Sequence, residues 1–216
     1  MSHIYSTEET FMKPYIRLIC LAGLGLSLIA CQAETSKPIA QSGKVASSGQ
    51  ADIGGAYTLL NQDGETVTQD TFLGQPQLIY FGFSYCPDIC PTALIQMGHA
   101  QKALGIEGKD IQNIFISVDP ERDTPESLKL YVTANGFPEG LVGLTGSQEQ
   151  VDTAKAAFKV YAAKVDDPEG ASGYTVDHSS IIYFMDSEGQ LVDFFTHTSS
   201  VSDITDRISA YLKQAG

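Results

Sequence analysis

The sequence predicts one α/β domain with a mixed central sheet flanked by helices. From about residue 51 onward, segments typical of strands alternate with segments typical of helices, which is the pattern of a sheet with crossover helices. An apolar run at residues 78–83 is typical of a buried strand, and it leads through Cys86 and Cys90 into a helix-forming segment. A cysteine pair between a strand and a helix is the layout of a thioredoxin-like site. We therefore expect a thioredoxin-like fold.

The first elements of the domain are a β-hairpin and a central strand. Residues 57–60 and 66–68 flank the turn sequence Asn61-Gln62-Asp63-Gly64, which favours a hairpin added at the N-terminus of the fold. Residues 77–83 form the first central strand. Apolar spacing at Leu94 and Met97 then predicts a helix over residues 91–104.

The remaining elements continue the alternation. Thr124 as the N-cap and Pro125 at the first helical position start a helix that we expect to end at Asn135-Gly136. Ser147 and Gln150 form a capping box that opens a helix to about residue 160. Further strands are expected at residues 111–118, 141–144, 161–165, 180–185 and 191–196, with a polar loop at 166–173, a turn at 186–189 and a final helix over 200–214.

The N-terminal residues are interpreted as a leader (1–31) and a flexible tether (32–50), followed by the domain (51–216). A short basic stretch after Met12 precedes the apolar run 18–30, and Cys31 follows it. This order is typical of a lipoprotein signal peptide with translation starting at Met12 and lipid attached to Cys31. The run is shorter than the roughly 20 residues that a spanning helix needs, so an uncleaved anchor is the alternative. The tether is rich in Ser, Ala, Gln and Gly.

Composition limits the possible functions. The chain has 216 residues, 43% of them hydrophobic, and a formal charge of −13. An acidic protein repels nucleic acid, so we expect no nucleic-acid partner. Two of the four cysteines, Cys20 and Cys31, fall in the leader. The domain therefore holds one cysteine pair, which indicates a site and not a disulfide framework.

The chemistry of that pair depends on its position and spacing. Unpaired amides at a helix N-terminus favour a thiolate, which both disulfide exchange and soft-metal binding require. Three residues separate Cys86 from Cys90, whereas thioredoxin-like oxidoreductases have two. The additional residue lets the sulfurs spread around one metal ion. Metal binding is the favoured interpretation, and a redox-active dithiol or a structural cysteine pair are the alternatives.

Residues 81–91, Phe-Gly-Phe-Ser-Tyr-Cys-Pro-Asp-Ile-Cys-Pro, resemble the signature of the Sco/SenC family of copper chaperones. Three further segments agree with the family in the same order, at 117–125, 176–179 and 183–186. The resemblance runs from about residue 53 to the C-terminus. It implies a thioredoxin-like fold and binding of Cu(I) or Cu(II). It also implies copper delivery to the binuclear copper centre of cytochrome c oxidase, or reduction of the cysteines of that centre.

The resemblance assigns His178 as the third copper ligand, beside Cys86 and Cys90. Of the other three histidines, His3 lies in the leader. His99 lies nine residues after Cys90 on the same helix, about 13 Å along its axis, and is interpreted as a surface or packing residue. His197, at the end of the final strand, is the second candidate.

Two further expectations concern charged residues near these motifs. Asp119 or Asp177 is a candidate for orienting the histidine from outside the metal's ligand set. Arg122 and Asp123 are expected to form a structural ion pair ahead of the Thr124 cap. Zinc is a competing metal, since three protein ligands plus water are typical of catalytic zinc, but no general base accompanies the proposed ligands.

Three classes of function follow. The first is a metallochaperone that hands over copper without turnover, with the copper-bearing oxidase subunit and other copper chaperones as partners by resemblance. The second is a thiol–disulfide oxidoreductase or a peroxidase-like relative, with Cys86 and Cys90 as the catalytic pair. The third is a tethered structural protein whose cysteines only form a disulfide. In each case we expect a lipid-anchored protein of the cell envelope with its domain outside the cytoplasm.

Overall fold

The protein is described by a computed structural model that covers residues 52–168, 170 and 173–215. The leader, the tether, the Met12 start and lipidation at Cys31 lie outside the described residues and stay predictions. Within the part of the chain that the structure covers, we find no helix with both the length and the apolar character needed to cross a bilayer.

Most strands of the described chain form one mixed sheet in the order β2-β1-β5-β4-β3-β8-β9. The strands are β1 (Thr58–Asn61), β2 (Thr66–Thr68), β3 (Gln77–Gly82), β4 (Gln112–Ser117), β5 (Val142–Thr145), β6 (Ala162–Asp166), β7 (Tyr174–His178), β8 (Ile181–Met185) and β9 (Leu191–Thr196). The three central strands β3, β4 and β5 run parallel, and the remaining pairs are antiparallel. The predicted N-terminal hairpin, β1 and β2, extends this sheet beyond β5. Strands β6 and β7 form a separate two-stranded sheet.

Helices occupy the connections, as the predicted α/β class requires. They are α1 (Ile89–Leu104), α2 (Ile106–Lys109), α3 (Pro125–Tyr131), α4 (Gln148–Ala157) and α5 (Val201–Ala215), with a short 3-10 helix at Gln69–Phe72. Helix α1 packs against β3 and α5. The mixed sheet with flanking helices confirms the predicted fold class.

Strand β3 is the centre of the core. All six of its residues are buried, as expected for a strand with neighbours on both sides and elements packed on both faces. At its end, the Phe81 ring packs against Phe158 and Tyr183, with centroid distances of 5.3 and 6.2 Å. The buried Leu94 and Met97 of α1 contribute to the same core, as the apolar spacing predicted.

Three helices begin or end at residues other than those predicted. Helix α1 begins at Ile89 and not at Pro91, which places Cys90 inside the first turn; proline is tolerated there because amides of the first turn have no intrahelical acceptor. Helix α3 ends at Tyr131, where the Ala134 amide bonds back to Tyr131 in a tighter turn. Helix α4 ends at Ala157, shortly before Lys159 adopts a left-handed φ of 55°.

Strand β7, residues 174–178, is not predicted from the sequence. This strand pairs antiparallel with β6, with His178 opposite Ala162 and Tyr174 opposite Asp166. Of the five residues of β7, Val176 alone is fully buried, so the strand lacks the apolar alternation that would have revealed it. The β6–β7 hairpin is the element that brings His178 to the cysteines.

Candidate metal centre

The three predicted ligands come together in the structure. One ligand atom each of Cys86, Cys90 and His178 lies within 4.8 Å of the other two. The Cys90 Sγ lies 3.3 Å from His178 Nε2. Among the described residues, no other group of three or more His, Cys, Asp and Glu side chains comes together in this way. The site joins the loop after β3, the first turn of α1 and the end of β7.

The loop after β3 presents Cys86 to the start of α1. The Cys86 amide donates to the Phe83 carbonyl at 3.2 Å, which turns the chain toward the helix. The Cys90 amide then donates to Cys86 Sγ at 3.4 Å. Cys86 therefore occupies the position at a helix N-terminus where an anion is stabilised. Its side chain is half-buried, whereas Cys90 is fully buried.

Gly82 permits the close approach of α1 to β3. A Cβ at residue 82 would lie 2.8 Å from Cys90 Sγ and 3.0 Å from carbons of the Phe115 and Tyr80 rings. These distances are shorter than a carbon–sulfur or carbon–carbon contact allows. The glycine that precedes the cysteine loop is therefore required for the position of Cys90.

The pKa values of the two thiols are shifted in opposite directions. The pKa of Cys86 falls from its ordinary value of 9.0 to about 4, chiefly because the Cys90 thiol donates a hydrogen bond to it. Burial opposes this shift, while hydrogen bonds from the backbone of Cys90 and Asp88 support it. The pKa of Cys90 rises because its proton is held by Cys86 and because the side chain is buried. The reduced site therefore contains one thiolate, Cys86, and one thiol, Cys90.

His178 is oriented for binding through Nε2. Its Nδ1 lies 3.0 Å from the Ser179 carbonyl oxygen. Because a carbonyl oxygen only accepts, Nδ1 carries the proton and Nε2 presents its lone pair toward Cys90. The rings of Tyr80 and Phe83 pack edge-on against the imidazole, with centroid distances of 6.2 and 5.8 Å. The tautomer and the ring plane are thus both fixed.

The other histidines do not join the site. His99 is exposed on α1, as predicted. His197 accepts a hydrogen bond from Gln96 through its carbonyl at 2.9 Å. In the chain that the structure describes, neither belongs to the ligand group. His3 lies outside the described residues.

The expectations for the nearby charged residues need correction. The predicted ion pair of Arg122 with Asp123 is wrong, because Arg122 pairs with Asp119, three residues earlier in the same turn. Asp123 is buried and accepts hydrogen bonds from the Ser84 amide at 3.1 Å and the Ser117 hydroxyl at 2.6 Å. Consecutive side chains point in different directions in this turn, which the sequence does not reveal.

The residue that orients His178 also differs from the expectation. The Asp119 carboxylate accepts from Arg122 and from the Tyr174 hydroxyl, and Asp177 is exposed on β7. The partner of Nδ1 is instead the Ser179 carbonyl. A backbone carbonyl is present at every residue, so no residue type signals this role.

Comparison with known proteins identifies relatives along most of the chain. The SCO1/SenC family model matches residues 45–213. The chain is 39% identical over 169 residues to the mitochondrial protein SCO1 homolog 1 of Arabidopsis thaliana, covering 78% of this chain and 49% of that protein. The chain therefore spans about half of that relative's length. It is 33% identical over 207 residues to protein SenC of Rhodobacter capsulatus, covering 96% of this chain and 91% of that protein.

Solved structures agree with these relatives. Arabidopsis thaliana ScoI, solved with copper bound, has a TM-score of 0.70 and 38% identity over 75% of this chain and 99% of that one. BsSco is described as a member of the Sco family of cytochrome c oxidase assembly proteins with a disulfide switch. It has a TM-score of 0.57 and 29% identity over 74% and 95% of the two chains. A SCO1/SenC family lipoprotein of Bacillus anthracis has a TM-score of 0.60 and 26% identity over 73% and 94%. The chain belongs to the SCO1/SenC family.

Proposed function

We propose that this protein is a copper metallochaperone that binds one ion, as Cu(I) or Cu(II), through Cys86, Cys90 and His178. The observation that carries the proposal is the convergence of the three ligand atoms within 4.8 Å. Thiolates are soft donors that favour Cu(I), and an imidazole nitrogen adds stability for Cu(II). The copper-bound structure of the Arabidopsis family member supports the choice of metal.

The partial exposure of the ligands fits a protein that transfers its metal to a partner. Cys86 and His178 are half-buried, while Cys90 is fully buried behind them. A ligand from a partner can therefore reach the site from one side and exchange with the two accessible donors. A closed structural zinc site, by contrast, has four protein ligands, one more than this group provides.

We propose that the recipient is the binuclear copper centre of cytochrome c oxidase, with other copper chaperones as further partners. The description of BsSco as a cytochrome c oxidase assembly protein supports this role. We further propose that residues 1–31 are a leader, that lipid on Cys31 anchors the protein to a membrane of the cell envelope, and that residues 32–50 tether the domain outside the cytoplasm. The lipoprotein of Bacillus anthracis supports this arrangement.

A second function, thiol–disulfide exchange, is favoured by the unequal acidities of the cysteines. The Cys86 thiolate would attack a partner disulfide to form a mixed disulfide and release one partner thiolate. Cys90 would then lose its proton and attack the Cys86 sulfur, which forms the Cys86–Cys90 disulfide and releases the second partner thiolate. The partner is reduced by two electrons and this protein is oxidised by two. Both cysteines are free in the structure, as this reaction requires.

Copper loading of matched histidine variants tests the first function. The full chain, with Cys20→Ser and Cys31→Ser so that two thiols remain, is reduced and titrated with copper. We expect one copper per chain and intense thiolate-to-copper bands, retained in the exposed control His99→Ala and lost or strongly changed in His178→Ala. Failure to retain copper, or a spectrum indifferent to His178, would reject the chaperone and favour thiol exchange.

A further inference from the structure

The β6–β7 hairpin carries His178 but is not hydrogen-bonded into the main sheet. In the described residues, its strands pair with each other and not with the seven-stranded sheet. Backbone pairing therefore does not set the distance between His178 and the cysteines. Side-chain contacts and the two-residue link from His178 to β8 set this distance instead, and the buried Val176 supplies one apolar contact with the core. The contacts of Arg122 supply the polar ones.

Arg122 holds the first residue of β7. Its side chain is 12% exposed. The guanidinium lies 3.7 Å from the centroid of the Tyr174 ring, and Nη1 donates to the Tyr174 carbonyl at 3.1 Å. Tyr174 begins the strand that His178 ends. The guanidinium thus contacts both the ring and the backbone carbonyl of Tyr174.

Asp119 anchors this contact to the central sheet. Its carboxylate accepts from Arg122 Nε and, at 3.0 Å, from the Tyr174 hydroxyl. Its amide donates to the hydroxyl of Ser117, the last residue of β4, at 3.0 Å. Asp119 is 1% exposed, so these charge-assisted hydrogen bonds are shielded from water. An ion pair of Lys164 in β6 with Glu121 also reaches the hairpin, but both of its side chains are exposed, so it is correspondingly weak.

The same guanidinium contacts the cysteine loop. It lies 4.9 Å from the centroid of the Tyr85 ring and 5.6 Å from that of Phe83. Tyr85 directly precedes Cys86 in the chain. Phe83 packs edge-on against the His178 imidazole. One side chain therefore touches the loop that carries Cys86, the strand that carries His178, and the ring that packs between Arg122 and the imidazole.

We infer that Arg122 is a positioning residue that fixes the β6–β7 hairpin, and with it His178, relative to the cysteine pair. This inference rests on the proposed copper site. Loss of Arg122 leaves the cysteines in place, because the hydrogen bonds of the Cys86 amide to Phe83 and of the Cys90 amide to Cys86 Sγ do not involve it. Binding of Cu(I) through two sulfurs is then largely kept. Binding of Cu(II), which needs the imidazole, falls by about 10- to 100-fold, the usual effect of losing a residue that supports a metal ligand.

The test compares Arg122→Met with Arg207→Met in the full chain. Arg207 is a matched control because it also lies over an aromatic ring, Phe195 at 4.6 Å, and pairs with an aspartate, Asp193, but its contacts are outside the site. Hydrogen exchange of the copper-free protein reports the hairpin directly. Competition titrations report the affinities for Cu(I) and Cu(II). Arg122→Lys keeps a cation beside Asp119 and serves if the methionine variant does not fold.

The expected result is specific to one hairpin and one oxidation state. In Arg122→Met, the β6 and β7 amides exchange about tenfold faster than in Arg207→Met, with β3 and β4 unchanged, and Cu(II) affinity falls while Cu(I) affinity does not. Arg122→Lys gives smaller changes in the same direction. Exchange and affinities equal to those of Arg207→Met would overturn the inference, as would equal losses for both ions with faster exchange throughout the sheet.

The two proposals fail in different ways. If the unaltered protein binds no copper, the proposed function is rejected. Hydrogen exchange then still decides the role of Arg122: faster exchange confined to the hairpin supports it, and exchange matching Arg207→Met refutes it. If the unaltered protein binds copper and Arg122→Met is indistinguishable from the control, the positioning role is rejected and the copper site stands.

Discussion

The acidity of Cys86 makes a quantitative prediction about thiol alkylation. At pH 6 a thiol with the ordinary pKa of 9.0 is about 0.1% ionised, whereas Cys86, with a pKa of about 4, is about 99% ionised. This raises the reactive fraction roughly 1,000-fold. The thiolate is also a weaker nucleophile: a slope of about 0.4–0.5 over a pKa difference of about 5 lowers its intrinsic reactivity roughly 100- to 300-fold.

At low pH the larger ionised fraction and the lower nucleophilicity nearly cancel. At high pH an ordinary thiol is ionised as well, so the lower nucleophilicity of Cys86 dominates. Relative to an ordinary exposed cysteine, Cys86 should react about 3- to 10-fold faster at pH 6 and roughly 50- to 150-fold slower at pH 9. Partial burial lowers the rate at every pH. The diagnostic quantity is therefore the shape of the profile: a nearly constant rate from pH 5.5 to 9, where an ordinary thiol gains about tenfold per pH unit until its own pKa.

The assay is alkylation of the reduced protein by iodoacetamide, resolved to single cysteines by peptide mass spectrometry. Cys90 should remain unmodified under the same conditions, because it is protonated and fully buried. Cys90→Ala removes the main donor to Cys86 and should restore a rate that rises with pH, whereas Cys90→Ser keeps a hydroxyl donor and should change the profile less. A rate at Cys86 that climbs tenfold per pH unit in the unaltered protein would refute the reasoning.

Three further predictions concern the scaffold and the metal. Gly82→Ala should lower the free energy of unfolding by about 1–3 kcal/mol in denaturant titrations, because the new methyl group would overlap Cys90 Sγ; an unchanged midpoint would contradict this packing. Thr124→Ala should cost about 0.5–2 kcal/mol in the same titrations, since Thr124 accepts from the Ser127 amide at the start of α3. Loading the reduced His178→Ala variant with Cu(I) at pH 7 should release about one proton from the two sulfurs, measured by calorimetry in two buffers; release of two would mean that Cys86 starts as a thiol.

The fold and the cysteine half of the site were predictable from the sequence because both are local. The apolar run of β3, the loop and the helix are contiguous, so their order alone placed Cys86 at a helix N-terminus. Hairpin turns and helix caps were likewise predictable from a few adjacent residues. His178 is different, because 88 positions separate it from Cys90. Only the family resemblance distinguished it from His99 and His197.

The features that sequence reasoning missed are tertiary. Strand β7 is mostly polar and pairs only with β6 in the described residues, so its sequence does not show the alternating apolar residues that predict a strand. Arg122 and Asp123 are adjacent in sequence, yet one faces Asp119 and the hairpin while the other faces Ser84 and the interior. The direction of a side chain within an irregular turn depends on the elements packed around it. No pattern in residues 117–125 contains that information.

The inequality of the two cysteines bears on how metal would leave the site. Without metal, Cys90 keeps a proton that it donates to Cys86, so the metal-free state is stabilised by a hydrogen bond that copper binding must break. Under the proposed function, release of copper restores that bond with uptake of a proton, and the half-buried Cys86 is the sulfur that an incoming partner ligand reaches first. Thiol exchange would also begin at Cys86 and end at Cys90. Replacing either cysteine therefore disables both functions. Replacing His178 disables copper transfer alone, because exchange between sulfurs needs no metal-binding imidazole.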